Sequence, residues 1–263
     1  MHRVPPDRRD HLLPKRPGRG RGAVLDEVGF FVEDGGALVV RGPAGPGMST
    51  LLRILGGLER PTRGSVVLNG TDLAVVTECR LARIRAEAIG TVVGSGAGAA
   101  RSAPAGLSPG LTARQNVAGA LIPLRLRPAD RRELAGEALA EVGLGDRFEA
   151  YPGELDEGAR RRVALARALV KRPAVLLADR PTDGLTGDAR AGMAELFVRL
   201  WSERRVSCIV ATEDEALVRP APRLVTLSQG RVTAAARQRR QPATAGGGPD
   251  ARAVEGRDDH GEE

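Results

Sequence analysis

Residues 42–50 read Gly42, Pro43, Ala44, Gly45, Pro46, Gly47, Met48, Ser49 and Thr50, a glycine-studded bend between two segments of opposite periodicity. Before it, Ala37-Leu-Val-Val40 is a short apolar run of the kind that forms a buried strand, and after it Leu51-Leu-Arg-Ile-Leu55 starts a helix. A strand that turns straight into a helix through such a bend points to an α/β fold. The spacing also matches a loop whose successive backbone N–H groups converge on phosphate oxygens at the positive end of the following helix. Taken alone, the nonapeptide is equally compatible with an ordinary turn, because the chain holds 34 glycines in 263 residues.

The order of the later segments narrows the choice. Pro61 to Gly70 reads as turn, strand and turn; Ile89-Gly-Thr-Val-Val93 is a strand; Leu111 to Val117 opens a helical region. Tyr151 to Leu169 enters a long helix, and Ala174-Val-Leu-Leu-Ala-Asp179 is an apolar strand that ends in a carboxylate. It is followed by Arg180-Pro-Thr-Asp-Gly-Leu185, and Ser207-Cys-Ile-Val-Ala-Thr212 is a further strand ending at Glu213-Asp214.

This succession resembles the ATP-binding subunits of ABC transporters, and its wording is similar to the subgroup serving lipoprotein release and macrolide export. The phrases that carry the resemblance run from Ser49 to Gly64, from Arg162 to Leu169 and from Leu176 to Thr182, within a span of about residues 23–233. The resemblance implies a P-loop NTPase fold of ABC type: a parallel-sheet core, a small antiparallel β portion near the start and a helical subdomain at about 95–165. It implies ATP and Mg2+ as ligands, residues 42–50 around the phosphates, and Ser49 or Thr50 with Asp179 at the magnesium. Leu155, Asp156, Glu157, Gly158 and Ala159 stand at the signature loop, which in the family reaches across a dimer to the partner's ATP. The implied partners are a transmembrane permease and a second ATP-binding subunit, identical or different.

The departures from the family pattern set the chemistry. Met48 stands where the phosphate loop carries its lysine, so a charged contact worth about 1.5–3 kcal/mol is absent. Arg180 replaces the glutamate that polarises the attacking water, and a guanidinium accepts no proton, which removes a role worth about 10²–10⁴ in rate. Gly94 replaces the loop glutamine, Thr186 the D-loop aspartate and Glu213 the switch histidine. No aromatic residue precedes Phe30, so the ring that stacks on adenine has no counterpart. No catalytic residue is assigned. Arg180 and Glu213 either pair with each other in the space of the terminal phosphate or remain two solvated loop charges. Asp156 and Glu157 either repel a phosphate or simply cap the helix that follows. Arg160, Arg161 and Arg162 are expected on a solvated helix face, with Arg167 supporting the fold locally.

Composition excludes several alternatives. A 41% hydrophobic share suffices for a sizeable core, but the aromatic share is only 2%, so small aliphatics must fill it. No apolar run approaches the roughly 18–20 residues of a membrane span, and Pro14 and Lys15 interrupt any secretory segment after Leu12-Leu13. The chain is therefore expected in the cytoplasm, and the resemblance implies a place at the inner face of the membrane. His2, His11 and His260 lie in the tails, which excludes a histidine catalyst in the core, and Cys79 and Cys208 fit no metal or redox spacing. The formal charge of +7 is not read as a nucleic-acid footprint: residues 1–22 carry net +5, residues 234–263 net −1 and the core net +3, and only Lys15 and Lys171 are lysines.

Residues 1–22 form a basic arm and 234–263 a charged, Gly- and Pro-rich tail, both expected to be disordered around one domain at 23–233. Gly94 to Gly106 is a small-residue stretch longer than its family equivalent. Two functional classes stay open: an ATP-binding subunit of an export-type ABC complex with impaired hydrolysis, and a non-hydrolysing pseudo-ATPase with a structural or regulatory role.

Overall fold

The computed structural model describes residues 24–43, 45–94, 104–203 and 206–237. The basic arm, the tail beyond residue 237 and residues 95–103 of the small-residue stretch lie outside the described residues.

The main sheet contains β1 (Ala37–Arg41), β4 (Ile89–Val93), β5 (Val175–Asp179), β6 (Ser207–Ala211), β7 (Arg223–Ser228) and β8 (Arg231–Arg237), in the order β4-β5-β6-β1-β7-β8. The first five are parallel and β8 pairs antiparallel with β7. β8 continues past position 233, the domain end expected from sequence. A separate two-stranded hairpin, β2 (Val67–Leu68) with β3 (Thr71–Asp72), matches the predicted turn, strand and turn.

Seven α-helices accompany the sheets among the described residues: α1 (Pro46–Leu55), α2 (Glu78–Ala88), α3 (Ala113–Gly119), α4 (Pro128–Glu141), α5 (Glu157–Leu169), α6 (Gly187–Glu203) and α7 (Glu215–Val218), with three single-turn 3-10 helices at Pro104–Gly106, Ile122–Leu124 and Pro152–Glu154. Because side chains alternate across a strand, each central strand feeds two apolar layers. Ala37 and Val39, Leu176 and Ala178, and Cys208 and Val210 face the layer of α3–α6, with Leu139, Leu165 and Phe197. Leu38 and Val40, Val175 and Leu177, and Ile209 and Ala211 face the opposite layer, with Leu51, Leu52 and Leu81. Alanine, valine and leucine dominate both layers, as the scarcity of aromatics requires.

This topology sets the site. β1, β4, β5 and β6 run parallel, so the loops that leave them, at Gly42, Gly94, Arg180 and Thr212, emerge along one carboxyl edge.

Candidate functional site

Main-chain hydrogen bonds lace the carboxyl edge together. Gly94 N–H donates to the Asp179 carbonyl at 2.7 Å, Arg180 N–H to the Ala211 carbonyl at 2.8 Å and Thr212 N–H to the Val40 carbonyl at 3.0 Å. The first of these needs a residue without a side chain, since a Cβ at 94 would lie 2.1 Å from the Arg180 carbonyl oxygen. Arg180 itself sits at φ +47°, a left-handed conformation uncommon for a residue with a side chain.

On this edge the bend at 42–50 meets the carboxylate of β5. The Ser49 hydroxyl donates to Asp179 Oδ2 at 3.1 Å. Asp179 is 6% exposed, and its Oδ1 has no hydrogen-bond partner among the described residues. Burial pushes the Asp179 carboxyl above the usual carboxylate range; the Ser49 hydrogen bond and the Arg180 charge pull it back down, while the Asp183 charge pushes it up again. An orphaned buried carboxylate oxygen beside a serine hydroxyl is an oxygen-donor pair that suits Mg2+. These are the two magnesium positions expected from sequence, and the fold brings them together.

The remainder of a triphosphate site is differently furnished. Met48 is 2% exposed and belongs to the apolar layer of Leu38, Val40 and Leu51, so its thioether packs in the core. Pro46 occupies the first turn of α1, where its ring nitrogen carries no hydrogen and removes one donor from the main-chain cradle. That loss is legible in the sequence as Pro46. Ala44 lies outside the described residues. The first turn of α1 carries no acidic side chain.

One open choice is decided and one expectation corrected. Of the two readings of Arg180 and Glu213, the ion pair does not form: Arg180 Nη1 lies 3.7 Å from Asp183 Oδ2, within the turn that follows β5, and Glu213 is exposed and joins no ion pair among the described residues. The left-handed turn at Arg180 keeps its side chain near its own loop. The arginines at 160–162 do not form a solvated face either, since Arg161 is fully buried and its neighbours are half-buried. Arg167 does brace the fold, donating from Nη1 to the Gly106 carbonyl at 2.7 Å.

At the signature position, Asp156 caps α5: its Oδ1 accepts the Ala159 N–H at 2.7 Å. Leu155 and Gly158 are buried, and a Cβ at Gly158 would meet Ala189 of α6 at 2.9 Å, so this glycine permits close packing of α5 on α6. Thr186 is exposed just before α6. After Glu213, Asp214 caps α7, its Oδ1 accepting the Ala216 N–H, and its two carboxylate oxygens accept Arg190 Nη2 and Nε at 2.7 and 3.0 Å. The Arg190 guanidinium holds the Asp214 carboxyl down at about 2. Sequence reasoning missed this bridge, because nothing in the spacing relates residues 24 positions apart.

Comparison with known proteins agrees with this architecture. A profile of the ABC transporter family matches residues 25–183. The lipoprotein-releasing system ATP-binding protein LolD of Bordetella avium is 39% identical over 215 residues, which cover 82% of this chain and 90% of that protein. The LolD of Geobacter metallireducens is 37% identical over 217 residues, 82% of this chain and 92% of the relative. Among solved structures, a dimeric post-hydrolysis state of the ATP-binding cassette MJ0796 bound to ADP and Pi superposes with a TM-score of 0.73 at 30% identity, covering 88% of this chain and 98% of that one.

Proposed function

The chain belongs to the family of ABC transporter ATP-binding proteins, and from that premise we propose that it is the ATP-binding subunit of an export-type complex in which its own site does not hydrolyse ATP. The carrying observation is Met48, packed into the apolar layer beneath α1 where the phosphate loop of the family holds a cation. Arg180 adds to it, since a guanidinium beside Asp183 can neither take a proton from water nor orient it as a carboxylate would. Ser49 and Asp179 would hold the Mg2+, which supplies charge neutralisation for phosphate oxygens when bound.

On this reading the chain works at the inner face of the membrane, bound to a permease and paired with a second ATP-binding subunit. No helix among the described residues is long and apolar enough to cross a membrane, so a permease would have to supply the membrane path. The relatives support the assignment: two of them are ATP-binding proteins of a lipoprotein-releasing system, and MJ0796 is a dimer in its solved state. Pro46 favours a second reading, a pseudo-ATPase that binds no nucleotide and acts as a structural or regulatory partner, because the cradle has lost an N–H donor as well as its cation.

Calorimetric titration of the full chain with Mg-ATP, followed by a phosphate-release assay, tests both. Heat of binding without phosphate release is the expected result, and absence of heat and of any thermal shift at millimolar nucleotide selects the second reading. Brisk phosphate release by the unaltered chain overturns both.

A further inference from the structure

Arg161 stands out for its burial: it is 0% exposed, and among the described residues it is the one arginine in the core. A guanidinium does not lose its charge in a protein, so complete burial demands a counter-charge and a full set of acceptors. Glu157, one turn earlier on α5, supplies the charge, its Oε1 accepting Arg161 Nε at 2.9 Å. The other carboxylate oxygen accepts Arg160 Nε and Nη2 at 3.2 and 3.0 Å. Each terminal nitrogen of Arg161 donates outside its own helix: Nη1 to the Val93 carbonyl at 3.4 Å and Nη2 to the Asp183 carbonyl at 3.2 Å. Arg160 extends in the opposite direction, from Nη1 to the carbonyls of Leu155 at 2.6 Å and Pro152 at 3.2 Å.

These contacts join three parts of the molecule. Val93 closes β4, Asp183 lies in the turn after β5, and residues 152–155 lead into α5, which packs on α3 and α4. The edge that receives Arg161 is itself stiffened, because Gly94 lies directly against the Asp179–Arg180 backbone. We propose that Glu157 and Arg161 form a latch that fixes the helical unit α3–α5 to the carboxyl edge of the sheet in one orientation, and that Glu157 serves this latch rather than a ligand. The two residues depend on each other. A glycine at 157 would leave Arg161 a buried cation without its carboxylate. The latch consists of contacts within one chain and holds whether or not nucleotide binds.

Hydrogen exchange read by mass spectrometry on the full chain tests it with Glu157→Gln, Arg161→Gln and the double variant. Glu157→Gln is expected to speed exchange about tenfold or more in residues 153–160 and 180–185, while β1 and β6 stay within about twofold of the unaltered chain. Adding Arg161→Gln to Glu157→Gln is expected to reverse most of that effect, since the uncompensated cation is then gone. An effect of Glu157→Gln that is the same with Arg161 present or absent overturns the proposal, as does exchange that changes evenly over the sheet or not at all. If Glu157→Gln alone does not fold, folding of the double variant supports the latch, and failure of both overturns it.

Discussion

Asp179 ends β5 and Asp214 follows β6 at the same carboxyl edge, yet their surroundings drive the two carboxylates in opposite directions. Asp179 has its folded-state pKa raised, chiefly by burial, so its contribution favours the fold below the ordinary carboxylate range and is lost as pH rises through the raised value. Asp179→Asn is therefore expected to raise the melting temperature in metal-free buffer at neutral pH by about 2 °C or more, and to abolish stabilisation by Mg2+; a lower melting temperature in differential scanning calorimetry contradicts the assignment. Asp214 is depressed to about 2, chiefly by Arg190, so its contribution is present above the ordinary value of 3.8 and fades as pH falls through about 2. Arg190→Ala is expected to cost on the order of 1 kcal/mol at neutral pH, a modest figure because the arginine is half-exposed, and the gap to the unaltered chain should close between about pH 4 and pH 2 in urea titrations. The pair Ser49 and Asp179 was legible in the sequence because motif spacing fixes both. Arg161 was not: three consecutive arginines look alike, and only the carbonyls of Val93 and Asp183, distant in sequence, decide which one is buried. Arg180 misled for a related reason, since its partner is chosen by a local turn and not by a family position.

Elements read differently from residues, because periodicity reports them directly. β4 was predicted at 89–93 and occurs there, and β1, β5 and β6 agree with their predicted runs to within one residue at each end. The region entered at Tyr151 is less regular than predicted: a short tight turn at Pro152–Glu154 precedes α5, which begins only after the Asp156 cap. Asp156→Ala is expected to cost about 1 kcal/mol through loss of that cap, measured as a lower urea midpoint with unchanged slope. A larger loss confined to nucleotide binding, with stability intact, would show instead that Asp156 faces a ligand. Gly94→Gln is expected to destabilise by about 2 kcal/mol, because its Cβ would collide with main chain that has no room to retreat; wild-type stability for that variant would mean the edge is looser than its hydrogen bonds imply. α4, α6, β7 and β8 carry no chemical motif and were not singled out from the sequence; they stand because their apolar faces cover the two layers.

The described residues are built on a main sheet with an apolar layer on each face, and its central strands contribute alternate residues to both. Fold class was legible because strand, bend and helix recur in an order that few topologies satisfy; the state of the site was legible only as replaced residues, not as the packing of Met48 or the path of Arg161. Sharing strands also ties the layers together in unfolding, since removing either exposes β1, β5 and β6. Trp201, the chain's one tryptophan, is 5% exposed, with its ring centroid 6.4 Å from that of Phe197, in the layer of α3–α6. The molecule thus carries an optical gauge for one face only, whereas circular dichroism averages over both. Denaturation followed by indole emission and by dichroism should trace one coincident curve, and a red shift that runs ahead of the dichroic loss would reveal that the two faces melt separately.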